Sequence, residues 1–476
     1  MDKKNYFSDT NGKPMITVEA REIVRLAVPL SVAQVAIILF GLIDTLTFSS
    51  FGISTLAAGG LGVAVFSLIN IIAVGVLTAV GNQVAWLKGK NSSSDLSAVI
   101  GAGLQNAFFV GLVLFSVLAM SEPLLIAFGQ DPAIVGPASD YLLWAGFSLF
   151  PTLVFTVYRG LLTGLSNALP VTLASILGVV IKLSANGIIV AIAAPEDAMA
   201  YIGLSSTLAF FGMAAALFIY SSKTYPSIHA FRSDAAKRKL AGREGLSLGI
   251  PIAGSYGVEA GLFTGAALMA GTISDVALAA HHIANQFVYL TFMLAVGISH
   301  ATSVRIGNAA GAGDFVQARV AAKTGLGVGI VTMTFMALLF ASAGSILVSW
   351  LLPSETESNA EVAGLATTLL LIAACFQWSD GVQNIAMGAL RGLKRAKTTL
   401  LGNILGYWVV GLPCAALGLK YAENGLYGIW WGLAAGLTTT AIFLTWQLSV
   451  AIRQQHPDQK TITIEREKPH ELLVKN

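Results

Sequence analysis

Charge is what this chain has least of. Asp, Glu, Lys and Arg make up 11% of its 476 residues against 55% hydrophobic, with a mean hydropathy of +0.74. So thin a polar coat excludes a soluble globule of this length. Cysteine is nearly absent too. Cys375 and Cys414 fall inside apolar stretches, which leaves neither a disulfide framework nor a Cys/His metal spacing. No nucleophile with its base and no ligand cluster points to an enzyme or a cofactor. A signal peptide is missing as well: Met1 to Ala20 is polar, with Lys3, Lys4 and Lys13, so the first apolar run is expected to start insertion itself.

What the chain does have is long apolar runs. Twelve are long enough to cross a bilayer, at roughly 20 residues each. They lie near 22–48, 57–87, 98–121, 137–162, 170–193, 200–222, 244–271, 278–306, 317–351, 362–388, 397–417 and 427–453. Their length and the lack of period-2 alternation choose helices over a barrel.

The runs are written twice. Arg21-Glu22…Leu26…Pro29 returns as Arg243-Glu244…Leu248…Pro251, and Ala73-Val74-Gly75 as Ala295-Val296-Gly297, both at an offset of 222. Gly160-x-x-x-Gly164-Leu165 and Ile176-Leu177-Gly178 return as Gly388-x-x-x-Gly392-Leu393 and Ile404-Leu405-Gly406 at an offset of 228. The expectation is an all-α integral membrane protein with twelve transmembrane helices in two pseudo-symmetric six-helix bundles and a cavity between them. Because six is even, the copies are parallel in topology. The expected parts are a polar N-terminus (1–21), a first lobe (22–222), a charged linker (223–243), a second lobe (244–453) and a polar tail (454–476).

Lys and Arg fall on one set of connections: Lys88 and Lys90, Arg159, Lys223 to Arg243, Arg305, Arg319 and Lys323, and Arg391 to Lys397. The other set holds Glu122, Asp131, Glu196, Asp197, Asp275, Glu355, Glu357 and Glu361, with Lys420 as its clear cation. Both termini and the linker are therefore expected in the cytoplasm. The net charge of +3 adds little, and the basic linker reads as a topology signal rather than a nucleic-acid site.

Ionisable residues inside spans are costly and functional by default. Four stand out: Asp44 in the first run, Lys182 in the fifth, Glu259 in the seventh and Asp380 in the tenth. None has a charged counterpart in the other copy. Two carboxylates in a low-dielectric pocket raise each other's proton affinity or share a cation, as ion coupling needs. Glu259, Asp380 and Asp44 are thus the coupling candidates, with Na⁺ at Glu259 and Asp380 as one option. Lys182 is either a fixed counter-ion to Asp44 or a titrating group. His281, His282 and His300 are read as solvated or hydrogen-bonded. Gln34, Asn186, Asn285, Gln286, Gln377 and Trp378 are the cavity candidates.

Asp44-Thr45, Pro251…Glu259, the run from Leu278-Ala-Ala-His281 to Arg305-Ile-Gly-Asn, and Asp380…Gly388-Ala-Leu-Arg-Gly392 together resemble the multidrug and toxic compound extrusion (MATE) family, in its NorM-like branch. The resemblance spans residues 20–453. It implies export of small organic compounds from a bacterial cytoplasm across the inner membrane by H⁺ or Na⁺ antiport, through a cleft that alternates its opening, by a monomer. It also implies a cation site at Glu259 and Asp380 and a second at Asp44. Phe376 stands where the Na⁺-binding pattern has an aromatic hydroxyl, and Lys182 where the fifth helix has an Asn. That substitution leads to the expectation that Lys182 pairs with Asp44 and leaves coupling to the second lobe. A lipid-linked precursor flippase of the same superfamily and a dedicated natural-product or siderophore exporter are the alternatives. A channel is disfavoured because the acids do not form rings.

Overall fold

Polytopic and all-helical, the structure is a computed structural model that describes residues 15–195, 197–228, 233–352 and 357–454. The first lobe contains α1 (Met15–Ser50), α2 (Ile53–Gly89), α3 (Ser93–Ala119), a short α4 (Ser121–Ala127), α5 (Pro132–Gly146) with α6 (Leu149–Gly164), α7 (Leu169–Ile192) and α8 (Ala198–Thr224). The second contains α9 (Ala235–Gly271), α10 (Asp275–Gly311), α11 (Phe315–Leu351), α12 (Glu357–Gly392), α13 (Ala396–Asn403), α14 (Leu412–Tyr421) and α15 (Gly425–Gln454). Residues Ile404–Gly411 join α13 to α14 as a π-helical stretch inside a single span.

Among the described residues, ten helices are long and apolar enough to cross a bilayer unaided, and α5 with α6, bent by 41°, makes an eleventh. The twelfth is α9, 37 residues long but diluted by glycine, serine and Glu259. Each lobe has its own apolar core, around Phe48, Tyr141 and Phe155 in the first and Phe340, Tyr407 and Trp430 in the second.

The duplication is visible in the backbone. Helices α2 and α10 are 37 residues each, start 222 residues apart, and are followed by turn residues in the left-handed region, Asn91 (φ 55°) and Gly313 (φ 76°). At the offset of 228, Ser166 (φ 62°) after α6 matches Lys394 (φ 59°) after α12. A left-handed residue closes a helix by turning its last carbonyls onto the next amides. The side chains at these paired turns differ, so only the conformation repeats.

Several sequence boundaries are corrected. Helix α1 begins at Met15, inside the stretch expected to be a polar N-terminus, because Glu19 is buried against the other lobe. The expected linker is about half helical: α8 runs to Thr224 and α9 starts at Ala235. Asp234 caps α9 by accepting from the Ala236 amide at 2.7 Å. Gln83 and Asn106 then donate to the carbonyls of Ala241 and Gly242. The fourth span is bent, and the eleventh changes its helical pitch. Residues 1–14, Glu196, 229–232, Glu355 and the tail from 455 lie outside the described residues, as does the side chain of Glu357.

The lobes meet where α1 and α2 pack on α9 and α10. At Gly75 a Cβ would lie 2.7 Å from Ala253 Cα, so the close approach requires glycine. Beyond that crossing, toward the end of the bundle that carries Met15 and Gln454, polar bonds join the lobes. Ser303 donates to Asn82 Oδ1 at 3.0 Å, and Asn308 to Ser166 Oγ at 3.2 Å. Arg305 holds Glu19 with two bonds, 2.6 and 2.7 Å, and Gln317 adds a third. The molecule is clasped at that end.

Candidate functional site

Asp44 and Lys182 form one buried cluster in the first lobe. Asp44, on α1, is 3% exposed and Lys182, on α7, is 0%. The ammonium lies 2.6 Å from Asp44 Oδ1. It also donates to Ser206 Oγ at 2.6 Å and Ser205 Oγ at 2.9 Å, both on α8. An ammonium has three protons, so its capacity is filled. Asp44 accepts further from Asn186 Nδ2 at 3.0 Å and Tyr141 OH at 3.2 Å. Asn186 also reaches Thr47 at 2.8 Å, and its carbonyl accepts from Ser205 at 2.6 Å. Four helices thus close a network in which every charged atom has partners, the condition under which a buried ion pair is tolerated.

Glu259 and Asp380 form the second lobe's cluster, and its state is different. Glu259 on α9 and Asp380 on α12 are 7% and 2% exposed. Tyr407, presented by the π-helical stretch, donates its phenol to Gln383 Oε1 at 2.5 Å and approaches Glu259 Oε1 at 3.4 Å. Gln383 Nε2 in turn donates to Asp380 Oδ1 at 3.2 Å. The two acids are therefore linked through Tyr407 and Gln383. Asp380 Oδ2 is buried with no hydrogen-bond partner, as are Gln377 Oε1, Asn384 Nδ2 and Asn403 Oδ1. An unpaired buried carboxylate oxygen is costly, and a proton or a small cation removes that cost.

The cavity candidates scatter. Asn186 belongs to the Asp44 network. Gln377 is fully buried and donates to Thr291 at 2.9 Å. Trp378 does not join the acids: two residues from Asp380 is a rotation of about 200° around a helix, and its indole donates to Thr334 on α11. Asn285 is half-buried and Gln286 exposed on α10. Gln34 lies at the junction of the lobes, where it accepts from Arg159 at 3.2 Å.

Arg159 and Arg391 correct the topology reading. Both were expected in connections, yet Arg159 lies within α6, five residues before its end, and Arg391 is 5% exposed at the end of α12. Their residue type near a span end looked like a positive-inside signal, which hid that they face protein. Of the two readings given for the histidines, His281 takes the hydrogen-bonded one: it is buried and accepts from Trp430 Nε1 at 3.2 Å.

Tyr407, Gln383, Tyr141, Ser205 and Ser206 escaped the sequence reading. Phe376, where an aromatic hydroxyl was sought, packs on Trp430, and the phenol comes from another helix. A tyrosine directly after Gly406 in an otherwise apolar run was the available signal.

Two six-helix lobes clasped at one end, each holding a buried carboxylate cluster among its spans, define a multi-pass helical membrane transporter. The MatE family model matches residues 29–188 and 251–417, and the chain belongs to that family. It is 40% identical over 432 residues, 90% of this chain and 88% of the relative, to a probable multidrug resistance protein NorM of Pseudomonas aeruginosa. A probable NorM of Pseudomonas putida is 38% identical over 90% of this chain and 94% of the relative. Among solved structures, a MOP superfamily transporter from Pyrococcus furiosus superposes with a TM-score of 0.83 at 19% identity, covering 92% of this chain and 97% of that one.

Proposed function

We propose that the protein is a secondary-active exporter that expels small organic compounds from a bacterial cytoplasm across the inner membrane, in exchange for H⁺ or Na⁺. The observation that carries this reading is the contrast between the lobes. Asp44 is neutralised by a built-in ammonium, while Asp380 keeps a buried, unpartnered oxygen beside Glu259. A carboxylate with a fixed counter-ion has little to gain from an exchangeable cation. One without has much. Coupling is therefore assigned to Glu259 and Asp380, with Tyr407 and Gln383 orienting them, and Lys182 acts as a counter-ion to Asp44.

Alternating access follows from the same geometry. The clasp of Glu19, Arg305, Asn82 and Ser303 closes the end that carries the termini, taken as cytoplasmic from the Lys and Arg distribution. Rocking the lobes about the Gly75–Ala253 crossing would open it. The NorM relatives carry names of multidrug resistance proteins, which favours organic compounds over lipid-linked precursors. The working unit is one chain, since both clusters and the clasp lie within it.

The test uses purified protein in liposomes, loaded with a fluorescent substrate, under a pH gradient and separately under a Na⁺ gradient. Export driven by one gradient and lost in Asp380→Asn is the expected result. Retention of coupling in Asp380→Asn with Glu259→Gln, and its loss in Asp44→Asn, would overturn the assignment.

A further inference from the structure

A second group of buried cations lies at the junction of the lobes. Arg159 there lines a cavity with Gln34, Asn82, Thr156 and Thr163 of the first lobe and His300 of the second. The cavity measures about 40 Å³, room for roughly three waters, the space of one polar group rather than of a whole organic molecule. Arg391 is on α12, which packs on α10 beside His300: a Cβ at Gly388 would meet the carbonyl of Ser299. That guanidinium donates to Tyr256 OH at 3.1 Å and sits 4.8 Å over the same ring, while its Nε has no partner.

Among the described residues, neither arginine belongs to an ion pair; Asp44, Asp95, Glu19 and Glu244 are paired with other cations. Arg159 donates to the amide oxygen of Gln34. A guanidinium without a carboxylate beside it, in a low-dielectric interior, leaves a local positive field. A guanidinium fork matches a carboxylate in two parallel bonds. Lys182, the other intramembrane cation, is already saturated by Asp44 and two serines and is not available for this purpose.

We propose that this junction cavity is an anion subsite, in which Arg159 and His300 take the carboxylate of an organic substrate held in the cleft. The proposal rests on the exporter reading and adds a substrate class to it: compounds bearing an acidic group, including those that also carry a positive charge. Because α6 and α10 belong to different lobes, a carboxylate seated there touches both and is held only while they are together at this level.

The test is equilibrium binding to the purified full-length protein in phosphatidylcholine nanodiscs, read by fluorescence anisotropy. The probes are rhodamine B, which carries a carboxylate, and its ethyl ester, which does not. The wild-type protein is expected to bind the acid about tenfold more tightly than the ester, the size of one charge-assisted contact. Arg159→Gln should bring the ratio of the two affinities to about one, and Arg159→Lys should retain part of it. If Arg159→Gln does not yield monodisperse protein, His300→Gln is read instead, with a reduced ratio expected. A wild-type ratio of one or less, or a ratio indifferent to both substitutions, overturns the proposal. A second arm adds phosphatidylglycerol to the nanodiscs; displacement of rhodamine B by that lipid would assign the subsite to a headgroup and refute a substrate role. Binding needs no gradient. A preserved preference with no gradient-driven export in liposomes would therefore sink the exporter reading alone.

Discussion

Lys182 Nζ and Asp44 Oδ1 stand 2.6 Å apart in the interior of the first lobe, joining α7 to α1. The pair spans two helices that the sequence places 138 residues apart. Its consequence is that one of three intramembrane acids has an ammonium in direct contact.

Removing one member of that pair leaves the other charged and buried. Lys182→Asn or Asp44→Asn is expected to cost about 3–5 kcal/mol of stability. Lys182→Met combined with Asp44→Leu should recover much of it, because an apolar pair of similar volume is often tolerated. Thermal unfolding of the detergent-solubilised protein, followed by fluorescence, measures both. A double variant as unstable as either single one would show that the surrounding serines and Asn186 cannot tolerate an apolar pair.

Tyr407 links the two acids of the second lobe through Gln383 and Glu259. Tyr407→Phe keeps the ring that packs in the core and deletes only the hydroxyl. We expect it to weaken the coupling cation's apparent affinity by about tenfold, the effect of roughly one hydrogen bond to a charged group, while maximal transport at saturating gradient changes less. The dependence of export rate on the driving cation's concentration reads this directly. An unchanged half-saturation would remove Tyr407 from the coupling assembly.

Glu19 is 1% exposed and holds Arg305 across the lobe junction with two bonds. Glu19→Gln loses the charge but keeps the shape, and should shift the population toward an opened clasp. In a Cys375→Ser, Cys414→Ser background, Ser303→Cys should react faster with a membrane-impermeant thiol reagent when Glu19→Gln is added. Equal labelling rates would mean that the apolar crossing, not the ion pair, keeps the end closed.

Gly75→Val tests that crossing. A side chain there meets Ala253 at contact distances no Cβ tolerates, so the lobes cannot approach as they do. The variant should fold, because each lobe has its own core, and should lose transport while its Ser303→Cys site labels fast. Wild-type transport by Gly75→Val would show that the lobes work at a wider separation.

Much of the architecture was legible because a bilayer leaves few choices. Apolar runs of spanning length must be helices, and two copies of six at fixed offsets must face each other in parallel. Asp44, Lys182, Glu259 and Asp380 were legible for a related reason: charge in an apolar run is conspicuous. Tyr407, Gln383, Ser205 and Ser206 were not, since neutral polar residues also serve helix packing. Arg159 and Arg391 were misread because an arginine near a span end carries the same sign whether it faces water or protein.

By itself, then, the sequence determined the number of spans, their pairing into two lobes and the identity of the buried acids, all of which follow from hydrophobicity along one helix at a time. Which acid has a counter-ion, which has an unpartnered oxygen, and where an arginine lines a cavity without a carboxylate were decided by tertiary structure alone. Such interactions fall off within a few ångströms and join helices from distant parts of the chain, so no spacing along the sequence encodes them.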